Sequence, residues 1–198
     1  LNNECKGFEF SKKLFEILVS DKNSDSDYLI RTKILINSAG LNAVDIYGYY
    51  PNSANNQIRK LLVKGDYYSY AGREKIDNLI YPLPEENGLG LHVTIDMGGG
   101  IRFGPSWYPV DGIEYGIESK NKVFFVNSIE KYWPNIDPNL LNPSYSGIRS
   151  KLVGIDDFTI LKEEVNGNIF LSILGYESPG LTASLALGAY SQELIFNN

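Results

Sequence analysis

Three places in this 198-residue sequence combine residue types that could do chemistry. The first is Arg149, in the segment YSGIRSKL. A guanidinium grips a carboxylate through two parallel charge-assisted hydrogen bonds, which an ammonium cannot imitate. Tyr145 lies close by in the same segment and could add a phenolic hydrogen bond. The competing reading is an arginine in an ordinary surface ion pair. The second is His92, in GLGLHVTIDM. An imidazole exchanges protons near neutral pH and can serve as a general base. A structural histidine, fixed by hydrogen bonds, explains it equally well. The third is SPGLT, residues 178–182. Ser178 suits a helix N-cap and Pro179 the first helical position. The free N–H groups of such a start carry roughly half a positive charge and accept an anion. Leu181 stands where a capping box would have Glu, so no carboxylate competes for those donors. A well-capped packing helix is the alternative.

The elements that must position these groups follow from periodicity. Residues 28–37 (YLIRTKILIN) alternate and then run apolar, as a strand entering a buried sheet does. They end at Ser38, Ala39 and Gly40, after which LNAVDIYGYY predicts a short helix. Residues 7–19 read as extended or mixed structure, residues 20–27 as a polar turn and residues 51–63 as ambiguous. From Lys64 the pattern turns to strands. GLGLHVTIDMGGGIRFGP predicts a hairpin with Gly98, Gly99 and Gly100 at its turn. Its first strand would place Leu89, Leu91, Val93, Ile95 and Met97 on a core face, and Gly90, His92, Thr94 and Asp96 on the other. A helix is expected within residues 117–133, stopped by Pro134. A strand is expected around 148–153 and another hairpin over 157–163 and 168–175. The last element is a helix from Ser178, on which Leu181, Leu185 and Gly188 mark a packed face.

Composition narrows the classes. The net charge of −6 and sequence pI of about 4.9 argue against a nucleic-acid binder, which needs basic charge against phosphate. The single Cys5 excludes an internal disulfide and a CxxC metal site, and fits an intracellular home, cytoplasmic or mitochondrial. One histidine excludes a metal site that needs two imidazoles, and no metal is expected. No run approaches the ~18 apolar residues of a transmembrane helix. The opening LNNECKGFEF runs almost directly into a strand, which predicts a fragment; a short disordered leader is the other reading.

Together, ILINSAGLNAVDI (34–46), GLGLHVTIDMGGGIRFGP (88–105) and YSGIRSKL with ILGYESPGLTASLALGAY (145–152 and 173–190) resemble the D-amino-acid-oxidase-type flavoprotein superfamily, in its L-2-hydroxyglutarate dehydrogenase-like branch. The resemblance implies an α+β or α/β fold. A truncated Rossmann-like FAD-binding part would occupy residues 1–46 and 161–198. A mostly antiparallel substrate-binding sheet would occupy 47–160. It implies FAD as cofactor and a small carboxylate substrate such as a 2-hydroxy acid. Arg149 and Tyr145 would hold the substrate, and His92 would take its proton. Ser38, Ala39, Gly40, Gly175, Ser178, Pro179, Gly180, Leu181 and Thr182 would face the cofactor. One departure stands out: the family's GxGxxG turn, whose helix start holds the FAD diphosphate, has no match here. An N-terminal FAD-binding half, in cis or in trans, is therefore expected as partner. An amine or amino-acid oxidase of the same fold remains open, as does a non-catalytic fragment or binding subunit.

Overall fold

The structure is a computed structural model that describes residues 2–53, 57–83 and 90–196. The chain divides into two units, one of residues 1–61 with 150–198 and one of residues 62–149. The crossing points lie at 61/62 and 149/150, against the 46/47 and 160/161 suggested by the family resemblance.

The first unit opens with a meander of β1 (Asn3–Ser11), β2 (Leu14–Asp21) and β3 (Ser26–Thr32), paired antiparallel in that order. Phe15, Ile17 and Val19 alternate along β2 and are all buried, as a strand with one core face requires. Ser11 pairs with Leu14, so Lys12 and Lys13 form a two-residue turn, both at positive φ. That turn splits the stretch read as continuous over 7–19. Two lysines give no turn signal of the Asn-Gly kind, which is why the sequence conceals it.

The second sheet of this unit runs β10 (Thr159–Val165), β11 (Asn168–Leu174), β4 (Ile34–Asn37). β10 and β11 form the expected hairpin, and β11 pairs parallel with β4. Helix α1 (Ala43–Tyr47) follows β4, and α3 (Gly180–Phe196) follows β11. The core centres on Phe170. Its ring lies 4.8 Å from Phe8 and 6.0 Å from Tyr47, the latter stacked. Phe15, Tyr50, Leu152 and Leu174 belong to the same cluster.

The second unit is built around β5 (Lys60–Tyr70), whose bounds reach just past the unit's first residue. Among the described residues its sheet has the order β6 (His92–Ile95), β7 (Ile101–Gly104), β5, β8 (Tyr108–Val110), with β9 (Leu141–Leu152) also paired to β5. Helix α2 (Asn121–Glu130) inserts Phe125 and Ile129 against Tyr68, Val93 and Phe103. A polar knot lies beneath. Asp66 is 0% and Lys64 4% exposed. The Asp66 carboxylate accepts hydrogen bonds from the Tyr108 hydroxyl and the Asn121 amide, each at 2.8 Å. Lys64 donates to the Gly116 carbonyl. The knot ties β8 and α2 to β5, and removing one partner would strand a buried charge.

The fold is thus a mixed α/β one with mostly antiparallel sheets, as the sequence implied. Two details differ, while Leu89 lies outside the described residues. β6 ends at Ile95, so Met97 lies in the turn and is fully exposed rather than on the core face. On α3, Leu181 and Leu185 are 93% and 89% exposed and Gly188 is exposed too, so they do not form the packed face expected. Gly180, Ser191 and Ile195 are buried instead. No helix among the described residues is long and apolar enough to cross a membrane.

Replacing Phe170 with Ala is expected to destabilise the first unit by about 3–5 kcal/mol in denaturant unfolding, the cost of emptying a packed aromatic site; a change near zero would contradict the placement of that core. Burial also raises the pKa of Tyr68, Tyr70 and Tyr108. It pushes Tyr132, which donates to the Leu91 carbonyl, up to about 12. Their folded values lie above the unfolded value of about 10, so the stability they contribute is complete below that pH. It is lost as pH rises through the folded values. Tyrosinate absorbance should show one class ionising as free tyrosine does and a second only as near-ultraviolet dichroism collapses. All fourteen tyrosines titrating together with the fold intact would contradict this.

Candidate active site

The register of three strands sets the composition of one sheet face. Val93 pairs with Phe103 and Tyr68 with Phe103, and all three are fully buried. Their sequence neighbours must point the other way. That second face carries His92 and Thr94 from β6, Arg102 from β7, and Tyr67 and Ser69 from β5. Thr94 and Ser69 both lie opposite Arg102, and His92 lies opposite Gly104.

Aromatic contacts draw the other residues into this face. Tyr145, from β9, stacks on Tyr67 with ring centroids 4.6 Å apart and planes inclined by 14°. Arg102 places its guanidinium carbon 5.5 Å from the centre of the Tyr145 ring. An isolated bridge between Ile80 and Val93 brings the preceding loop alongside, and Tyr81 meets His92 edge-on at 4.2 Å. Burial raises the Tyr67 hydroxyl's pKa, and nearby Tyr145 raises it further while the positive charge of Arg149 pulls it down. Tyr67 therefore stays a neutral hydrogen-bond donor, and Arg149 lies on the same side of β9 as its stacking partner Tyr145. Gly104 makes room for it. Its φ is +145°, and a Cβ there would sit 2.6 Å from the Tyr67 ring and 2.7 Å from the Asp66 carbonyl oxygen.

The hairpin turn supplies the last fixed charge. The Asp96 carboxylate accepts the amides of Gly98 and Gly100 at 2.9 and 2.8 Å. It also accepts Arg102 Nη2 at 3.1 Å. The Gly100 amide, followed by Arg102 and Gly98, holds Asp96 below the usual carboxylate range.

The first unit holds the other sequence-selected residues. Because β4 and β11 are parallel neighbours, with Ser172 opposite Asn37, their carboxyl ends emerge side by side. Ser38, Ala39 and Gly40 leave the end of β4, and Gly175 and the 176–180 turn leave β11. The crevice beyond the carboxyl ends of parallel strands is the usual ligand position in such sheets. Asn37 braces the spot by donating to Ser172 Oγ at 3.3 Å and to the Ala43 carbonyl at 2.8 Å, while accepting from the Ala39 amide at 3.3 Å. Gly175, at φ +64°, passes so close to Leu152 that a Cβ would lie 2.8 Å from its Cγ.

Helix α3 begins at Gly180, one turn position later than Ser178 as N-cap would require. Pro179 acts as the cap residue, since its carbonyl accepts the Ala183 amide at 3.1 Å. The Gly180 amide donates to the Glu177 carbonyl, which leaves the amides of the exposed Leu181 and Thr182 as first-turn donors. The first turn carries no acidic residue.

The sequence-selected residues thus form two groups. His92, Tyr145 and Arg149 belong to the second unit, His92 on the face of Tyr67 and Arg149 on the side of β9 that carries Tyr145. Ser38–Gly40, Gly175 and 178–182 gather at the strand ends of the first. Sequence reasoning missed Tyr67, Tyr81 and Arg102. A signal for Arg102 was present: the turn at 97–100 pairs Ile95 with Ile101, which puts residue 102 across from Thr94.

Comparison with known proteins agrees with this architecture. The DAO family profile, FAD dependent oxidoreductase, matches residues 2–194. The mitochondrial L-2-hydroxyglutarate dehydrogenase of Arabidopsis thaliana is 34% identical over 182 residues, covering 79% of this chain and 36% of the relative. The glycerol 3-phosphate oxidase of Mycoplasma genitalium is 28% identical over 201 residues, covering 93% of this chain and 50% of the relative. The FAD-bound, dithionite-reduced L-alpha-glycerophosphate oxidase of Mycoplasma pneumoniae shares the fold, with a TM-score of 0.78 at 19% identity over 98% of this chain and 50% of that one. The chain spans half or less of the length of these relatives. With its parallel strand ends, its antiparallel sheet and this match along nearly its whole length, the chain belongs to the DAO family of FAD-dependent oxidoreductases.

Proposed function

We propose that this chain is the substrate-holding portion of an FAD-dependent dehydrogenase or oxidase acting on a small 2-hydroxy acid such as L-2-hydroxyglutarate. The observation that carries the reading is the single polar sheet face that holds His92 and Tyr67, with Tyr145 stacked on Tyr67 and Arg149 on the same side of β9 as Tyr145. Such a face combines a carboxylate anchor, neutral phenolic donors and a proton acceptor. The Arabidopsis relative is named for this substrate class.

The first unit's donors suit the cofactor. The Leu181 and Thr182 amides, on a first turn free of carboxylates, would meet the electron-rich edge of the flavin ring, with Ser38, Ala39 and Gly40 letting backbone come close and Gly175, packed on Leu152, shaping the turn beside them. When bound, FAD supplies the two-electron acceptor that takes the substrate's hydride. The chain's own residues do the rest. Arg149 takes the substrate carboxylate in a bidentate grip, and Tyr145 and Tyr67 offer hydrogen bonds beside it. His92 receives the hydroxyl proton as the C–H bond breaks, so a 2-hydroxy acid becomes a 2-oxo acid. Oxidation of a hydroxylated phosphate ester is a second reading, favoured by the name of the Mycoplasma genitalium relative.

The diphosphate anchor would come from a further FAD-binding half, in cis or in trans. Supporting this, β4 is an edge strand among the described residues, with Ile36 exposed, and α3 presents Leu181 and Leu185 outward. Apolar side chains on an open parallel edge call for a neighbour.

Combining this chain with an N-terminal FAD-binding half, in cis or in trans, is expected to give a yellow protein whose flavin is bleached by L-2-hydroxyglutarate. A colourless protein would overturn the reading. In that protein Arg149→Met should raise KM at least about tenfold, and His92→Gln should lower kcat by about 10²–10⁴. Unchanged constants in both variants would remove the assigned roles.

A further inference from the structure

The second arginine of the sheet face has no part in the chemistry above, yet it is firmly positioned. Arg102 donates from Nε and Nη2 to Oδ2 of Asp96, at 3.3 and 3.1 Å. The other carboxylate oxygen is held by two backbone amides of the turn, so the acid cannot swing away. The guanidinium also lies over the Tyr145 ring, a cation–π contact that restrains it from a second direction. Its side chain is 35% exposed. Asp96 occupies one edge of the guanidinium, and the remaining N–H groups have no acceptor among the described residues.

A charge fixed in this way, half-open and with donors to spare, is suited to receive an anion without the entropic cost of ordering a long side chain. Tyr145 links it to the substrate anchor: the ring under Arg102 is the ring that stacks on Tyr67, and Arg149 follows Tyr145 on the same side of β9. Arg149 lies four residues beyond Tyr145 in β9, so the strand's period of two puts both on one side of it, and Arg102 packs on the Tyr145 ring. A substrate with a single acidic group engages only one of the two guanidinium groups.

We propose that Arg102, braced by Asp96 and Tyr145, is a specificity-determining residue that binds a second anionic group of the substrate, so that the site selects dianionic over monoanionic hydroxy acids. The inference rests on the reading of this face as the substrate site, with Arg149 on the carboxylate beside the reacting carbon. Asp96 is a positioning residue that acts through Arg102.

The test is equilibrium binding to the 198-residue chain, by calorimetry or NMR titration, with L-2-hydroxyglutarate and L-lactate as paired probes. The readout is the ratio of the two affinities. Wild type is expected to favour the dianion by at least about tenfold, the effect of one charge-assisted contact. Arg102→Met should bring the ratio close to one, and Arg102→Lys, which keeps the charge and loses the fork, should give an intermediate value. Near-ultraviolet dichroism identifies the folded variants. Arg149→Met should weaken both probes and leave the preference in place. A wild-type ratio near one, uptake of neither probe, or a ratio unchanged in folded Arg102→Met overturns the proposal. If Arg149→Met leaves both affinities intact while Arg102→Met abolishes the preference, the Arg149 assignment fails and that of Arg102 stands.

Discussion

Pleating allows each strand residue only one of two faces, and in the second unit the burial of Val93, Phe103 and Tyr68 leaves no freedom over which. Those three side chains, packed on Phe125 and Ile129 of α2, lock the pairing of β5, β6 and β7. Every group assigned to substrate from these strands then faces the opposite side by necessity. A slip of one residue would bury His92 and Arg102 and expose Phe103, exchanging a satisfied core for stranded polar groups. The aromatic core thus holds the polar face in register. At Gly104 on that face a side chain is forbidden, because Tyr67 and the β5 backbone fill its place.

The same economy holds in the first unit, with a different geometry. Parallel pairing of β4 with β11 brings the Ser38–Gly40 turn and the start of α3 out at the same end of a sheet. Asn37 spends its side chain on three neighbours around that exit, so the turn is braced by hydrogen bonds and not by apolar packing. Among the described residues β4 is an edge strand, and α3 presents Leu181 and Leu185 to solvent.

Much of this was legible in the residues. Alternation around His92, the triple glycine turn and the Val165–Asn168 hairpin follow from periods and turn chemistry that act locally. His92, Arg149 and Tyr145 stood out because few side chains can perform their chemistry, and because their segments resemble a known family. Tyr67, Tyr81 and Arg102 did not, since each gains its meaning from a partner strand distant in sequence. Only Arg102 could have been found by counting back from the turn. The α3 face shows a different limit. Helical spacing reveals that Leu181 and Leu185 share an apolar side but not what covers it. The Lys12–Lys13 turn was hidden because its positive φ values fall on residues that rarely adopt them.

The chain's single histidine offers a direct reading of the central claim, that the polar face of the β5–β6–β7 sheet receives a small hydroxy acid. Its imidazole proton resonances are unambiguous and can be followed while L-2-hydroxyglutarate is added to the folded chain. The account predicts a saturable shift of those resonances that disappears in Arg149→Met. Imidazole signals that do not move at any ligand concentration, in a protein that remains folded, would contradict it.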